Sequence, residues 1–156
     1  AASDLDFQRY AVVIADSYYA YPVIDFVSEE LGWIPHFVSI NDISDKVLQD
    51  EYRKKFDRLT SFTKPQIIFE NKAGITAKKL KESWPAKGDG IYYDGPEPMF
   101  IIGSVVERAL AKQYGAGFLS VAFPVSNRVV LNKGYAGFRG ALTLAEDILS
   151  DLVNAR

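Results

Sequence analysis

The chain has 156 residues, enough to bury one proper core and few for a large redox enzyme, so one compact domain is expected. Its 48% hydrophobic and 24% charged residues give the balance of a folded globular chain and exclude a disordered one. The 18 Lys and Arg against 20 Asp and Glu leave a slight negative charge without a dense basic stripe, which argues against nucleic acid as a partner.

Cysteine is absent, which excludes disulfides and thiolate ligation of zinc or an iron–sulfur cluster by this stretch. No apolar run approaches the roughly 20 residues that cross a bilayer, and the opening is polar where a signal peptide is greasy, so no membrane is expected and a cytoplasmic location is. Residues 1–8 lack an initiator Met and are expected to be a flexible or appended start, with the chain processed or cut from something longer. Residues 9–156 are read as one domain.

Tyr10 to Ala15 is a short apolar run rich in β-branched residues, the pattern of a strand buried on both faces. After Asp16-Ser17-Tyr18-Tyr19, Pro22 suits a first helical position, Val23, Val27 and Leu31 recur every four residues, and Gly32 supplies the stop. Ile34 to Ile40 is again strand-like, with Asn41-Asp42 as the loop and N-cap of the next helix. That helix spans Ile43 to about Leu59, with Val47, Leu48, Tyr52, Phe56 and Leu59 on its inner face. Pro65 precedes a third strand, Gln66 to Phe69, and Thr76 to Trp84 reads as a short Lys-rich helix ended by Pro85. The Gly, Asp and Pro-rich stretch from Ala86 to Pro98 is favoured as a loop over a minor strand. Met99 to Ile102 forms a strand ending at Gly103-Ser104, followed by a helix carrying Val106, Leu110 and Tyr114 and closed by Gly115 and Gly117. Phe118 to Phe123 is the fifth strand and Leu142 to Val153 the last amphipathic helix.

Strands alternating with helices through short turns indicate an α/β fold, a three-layer α/β/α Rossmann-like domain with a mainly parallel five-stranded sheet. The doubly wound family suggests the order 3-2-1-4-5. Yet the turn after the first strand has none of the glycines that let pyrophosphate approach the backbone, and there is neither a Gly-Lys-Ser/Thr phosphate loop nor a Gly-x-Ser-x-Gly elbow. A conventional dinucleotide site is therefore disfavoured.

The single His36 is a candidate base or ligand, but it lies in a buried strand without His or Cys companions in the sequence, so a structural role is preferred. Glu29-Glu30 and Asp50-Glu51 offer carboxylates for acid–base work, although adjacent helical residues diverge and solvated faces are expected. Tyr18, Tyr19 and Tyr21 fall where ligands of open α/β sheets gather, with loop packing or an interface as the equal alternative. Nearer the end, Gly134-Tyr135-Ala136-Gly137-Phe138-Arg139-Gly140 leads into the last helix. Glycines three apart at a helix entrance allow close backbone approach or anion binding, and a tight turn with close packing is the plainer reading.

The run from Phe123 to Asp147 resembles the closing signature of nitrogenase component 1 chains, in particular the β-chain branch. The residues that carry the resemblance are Phe123-Pro124-Val125, Asn127-Arg128, Gly134-Tyr135-Ala136-Gly137 and Leu144-Ala145-Glu146-Asp147-Ile148, with looser support from Arg9-Tyr10-Ala11, Glu30-Leu31-Gly32-Trp33 and Pro98 to Ser104. Two departures are Asn127, where the family has Asp, and the lack of the His-rich residues that follow the pair in molybdenum β-chains.

The resemblance implies the C-terminal domain of a larger chain, part of an iron–sulfur oxidoreductase for ATP-driven reduction of dinitrogen or a related substrate, and not catalytic alone. The iron–sulfur cluster is then expected in the full-length protein, on cysteines in earlier domains, and no catalytic, cofactor or metal residue is expected in this stretch. Implied partners are the component 1 α-chain and a second β-chain in an α2β2 assembly, with an iron protein as electron donor. Phe123, Pro124, Arg128, Gly134, Tyr135, Gly137 and Gly140 are expected to order the chain junction or an interchain surface. Two alternatives stay open: a homologous scaffold for cofactor assembly, and a standalone α/β module binding small anions at the Gly134–Gly140 entrance.

Overall fold

The structure, a computed structural model, describes residues 9–61, 63–84 and 99–120. Five parallel strands form one sheet in the order 3-2-1-4-5, as the alternation predicts. The strands are β1 (Tyr10–Ala15), β2 (Ile34–Ile40), β3 (Gln66–Phe69), β4 (Met99–Gly103) and β5 (Gly117–Ser120). Between them run α1 (Ala20–Glu29), α2 (Lys46–Lys54), α3 (Ala73–Ser83) and α4 (Arg108–Tyr114). The order in which the chain adds parallel strands reverses at β1, so connections of one hand must put the first two helices on one face and the last two on the other.

The core follows that division. On one face Ala11, Val13 and Ala15 pack with Val23, Ile24 and Val27 of α1 and with Tyr52 and Phe56. On the other, Val12 and Ile14 pack with Leu80 of α3, Trp84, Ile101 and Ala111 of α4. This is the three-layer α/β/α arrangement, and β1 and β4 are buried on both sides because their runs lack polar residues.

Several boundaries differ from the sequence expectation, each for a local reason. The first helix starts at Ala20, so Pro22 takes its third position, still within the turn whose N–H groups need no helical partner. Gly32 does supply the stop, at φ 66°. The second helix starts at Lys46 because Asp45, not Asn41-Asp42, is its cap: the Asp45 carboxylate accepts from the amides of Val47 and Leu48. It then tightens into a 3-10 turn over Lys55–Arg58. Tyr52, Phe56 and Leu59 reach the core as expected, whereas Val47 and Leu48, in the first turn, are exposed. The third helix begins three residues early, at Ala73.

Gly115 ends α4 in the left-handed region at φ 62°, with the Ala116 amide donating to the Ala111 carbonyl and the Gly115 amide to that of Lys112, a Schellman-type closure. Gly117, expected to help close that helix, instead opens β5. A Cβ there would lie 2.5 Å from the buried Phe100 ring, so this glycine lets neighbouring strands pack an aromatic side chain between them. The expected Ala86–Pro98 loop, the far end of the fifth strand, the Leu142–Val153 helix and the 1–8 start lie outside the described residues.

Candidate functional site

In open α/β sheets ligands collect beyond the carboxyl ends of the strands, where each helix also presents unpaired N–H groups. The loop after β1 spends those groups internally. The amides of Tyr18 and Tyr19 donate to the Asp16 carboxylate at 3.0 and 3.2 Å, and the amide and hydroxyl of Ser17 donate to the two Asp42 oxygens, each at 2.8 Å. Three successive donors that would have to meet a phosphate are therefore held by carboxylates. The absence of glycine in this turn and the carboxylate caps point the same way: it is not built for pyrophosphate.

The same device recurs along the edge. Asp45 fills the entrance of α2, as described above. After β4, Glu107 is buried and its Oε2 accepts from the Ser104 amide at 2.7 Å and the Ser104 hydroxyl at 2.6 Å, while that hydroxyl accepts from the Val106 amide. Ser104-x-x-Glu107 is a capping-box spacing, legible in the sequence and not weighed there. Gly103 makes room for it, since a Cβ would sit 3.0 Å from that Glu107 oxygen and 3.1 Å from the Ile14 carbonyl.

Between the ends of β2 and β3 lies an open cleft of about 340 Å³ lined by Asn41, Asp42, Ser44, Gln49, Glu70 and Asn71 among others. Its lining contains two carboxylates and no Lys or Arg. Below it, the Tyr52 hydroxyl donates to the Ser17 carbonyl at 2.8 Å and accepts from the Tyr21 amide at 2.9 Å, so one phenol joins α2 to the loop after β1. Burial pushes that phenol up to about 12. Burial raises Tyr19 and Tyr21 as well, with Asp16 the next cause at Tyr19 and Asp25 at Tyr21. Tyr21 packs edge-on against Phe56 with ring centres 5.3 Å apart, and only Tyr18 of the three faces solvent.

His36 lies at the opposite, amino end of the sheet. It is the extra residue of a bulge, since Ala11 pairs with Pro35 and Val12 with Phe37. Its ring meets Trp84 edge-on at 4.9 Å and lies 3.2 Å from the Ser83 hydroxyl through Nε2. That hydroxyl already donates to the Leu80 carbonyl, so Nε2 carries the proton and His36 is the donor. Burial lowers its pKa, holding the ring neutral. These contacts are those of a packed histidine, remote from the carboxyl edge.

The paired acidic residues are solvated, as expected. Lys46–Asp50 and Lys54–Glu51 are exposed ion pairs on α2, and Glu29 accepts from the amide and hydroxyl of Thr60, which lowers its pKa. Among the described residues no group of three or more His, Asp or Glu side chains is placed to hold a metal ion, and no helix is long and apolar enough to cross a membrane. Phe123, Pro124, Arg128, Gly134, Tyr135, Gly137 and Gly140 lie outside the described residues.

The fold is thus a doubly wound, Rossmann-like α/β domain in which carboxylates hold the amides of the loop after β1, the α2 entrance and the turn after β4, while the α3 entrance has no side-chain cap. No family model and no curated protein matches the chain. Among solved structures it is similar to a chain described as "Nitrogenase Cp1 at pH 6.5", with a TM-score of 0.69 and 17% identity. The likeness covers 98% of this chain, which spans 30% of the length of that one. At this identity the likeness is one of fold alone.

Proposed function

We propose that this chain is the C-terminal domain of a nitrogenase-like component 1 β-chain, a structural part of an iron–sulfur oxidoreductase and not catalytic alone. The observation that carries the reading is the match of nearly the whole chain to under a third of a solved nitrogenase chain. It joins the ordered motifs from Phe123 to Ile148, which resemble that family's closing signature. The loop after β1, the α2 entrance and the turn after β4 agree with a packing role, because carboxylates hold their amides and leave few free donors there for a phosphate or nucleotide.

On this reading the cluster belongs to the full-length protein, held by cysteines that this stretch lacks, and the partners are a component 1 α-chain, a second β-chain and an iron protein. Fold does not fix activity, so the test is functional. The full-length gene product, purified with its partner chain and supplied with the iron protein and ATP, is expected to reduce acetylene or dinitrogen. Cofactor maturation without reduction would replace the enzyme by an assembly scaffold. Micromolar binding of phosphate or nucleotide by the isolated chain would favour a standalone anion-binding module instead.

A further inference from the structure

All five exposed large apolar side chains among the described residues lie at the carboxyl edge of the sheet: Tyr18, Val47, Leu48, Ile75 and Val106. Each sits in a strand-to-helix connection or the first turn that follows it. The opposite edge and the outer helix faces carry none among those residues. Scattered single exposures are ordinary on a protein surface, whereas these five share one edge.

Carboxylates outnumber basic side chains on that edge, where Lys46, Lys72 and Arg108 also stand. Asp16, Asp42, Asp45, Glu70 and Glu107 all follow strands there, and the carboxylates of Asp16, Asp45 and Glu107 occupy the amides that would otherwise favour an anion. The cleft between β2 and β3 takes Asp42 and Glu70 into its lining. In sequence Val47 and Leu48 stand on its α2 side and Ile75 on its α3 side. Lys46, beside it, is paired with Asp50, and Lys72 is outside the lining.

We propose that this carboxyl edge docks a protein segment that places a Lys or Arg side chain in the Asp42–Glu70 cleft, with apolar residues on either side meeting Val47, Leu48 and Ile75. The long aliphatic stem of a basic residue suits an edge with exposed apolar side chains in the neighbouring first turns, and its head meets the Glu70 carboxylate, amide oxygens and the Asp42 carboxylate, whose oxygens also accept from Ser17. An acidic or phosphorylated segment would meet like charge instead. The inference rests on the preceding reading only in giving the domain a protein neighbour.

Amide chemical-shift mapping on the full chain tests it with three blocked tripeptides, Leu-Arg-Leu, Leu-Gln-Leu and Leu-Glu-Leu, each titrated to millimolar concentration. Leu-Arg-Leu is expected to perturb amides in 41–49 and 70–76 selectively, with Leu-Glu-Leu about tenfold weaker or silent. Glu70→Gln should weaken Leu-Arg-Leu about threefold while the spectrum keeps its native dispersion. Equal response to all three peptides, or none in these segments, would overturn the proposal. Blocked arginine binding as well as Leu-Arg-Leu would make the cleft a small-cation pocket and also overturn it. None of these results depends on acetylene or dinitrogen reduction, so failure here leaves the reading of the whole protein standing, and the reverse.

Discussion

Tyr52 shows how one polar atom holds two elements together. Its hydroxyl serves the Ser17 carbonyl and the Tyr21 amide at once. Tyr52→Phe removes the atom without changing the ring, leaving both backbone groups unpaired in a partly buried place. The expected cost is about 1–3 kcal/mol, read as a lower denaturant midpoint with an unchanged slope. The raised phenol adds a pH signature. Its folded pKa of about 12 lies above the ordinary 10.0, so the stability it contributes is present below pH 10 and lost as pH rises from 10 toward 12. The Phe variant should lack that part of the alkaline loss. His36 works in the other direction: burial depresses its pKa below 6.5, the unfolded chain takes the proton first, and stability falls as pH drops below about 6.5. His36→Gln should flatten melting temperature against pH over that range, and an unchanged slope would show that His36 does not titrate across unfolding. A lone His in a strand is legible as structural, but its bulge is not, because the extra residue exists only relative to a neighbouring strand.

At the scale of elements, the sequence reads well wherever a pattern is local. The apolar runs of β1 and β4 and the stop at Gly32 follow from residue type and spacing, and so does the core spacing of α1. Caps are less legible because several carboxylates compete for one entrance. Asp42 and Asp45 both precede α2, and Asp42 is drawn away to Ser17, 25 residues earlier, by a tertiary contact that no spacing encodes. Asp45→Ala is therefore expected to cost about 1 kcal/mol and to fray the first turn of α2, seen as faster amide exchange at Val47 and Leu48. Asp42→Ala should spare those amides and loosen Ser17 instead. Gly117 is a second case of tertiary demand, since its need for no side chain comes from Phe100 on the adjoining strand. Gly117→Ala should destabilise by about 1–3 kcal/mol through overpacking, measured by thermal melting, and Phe100→Leu in the same chain should recover part of the loss. A loss unaffected by the second change would place the strain elsewhere.

For the whole molecule, strand order was legible because five short apolar runs joined by helical crossovers leave few topologies, and reversal at the first strand is the one shared by doubly wound folds. The candidate site was less so. The signature from Phe123 to Gly140 lies beyond the described residues, and the cleft is assembled from the ends of two strands whose last paired residues, Ile40 and Phe69, stand 29 residues apart in sequence. The same order fixes where stability resides. β1 is paired on both sides, to β2 and to β4, and Ala11, Val12, Val13 and Ala15 are fully buried. β3 pairs only with β2 among the described residues, is four residues long and begins at exposed Gln66. Opening β3 uncovers little apolar surface, whereas opening β1 separates both core faces. Hydrogen exchange should therefore find the 11–15 amides released only by global unfolding and those of 67–69 released by a smaller opening, at least about tenfold faster under native conditions. Added denaturant should bring the two rates together, because the global event exposes more surface and responds more steeply. If 67–69 exchanged as slowly as 11–15 in water, the β3 edge would be held by more than β2, and its exposed side would have to be covered.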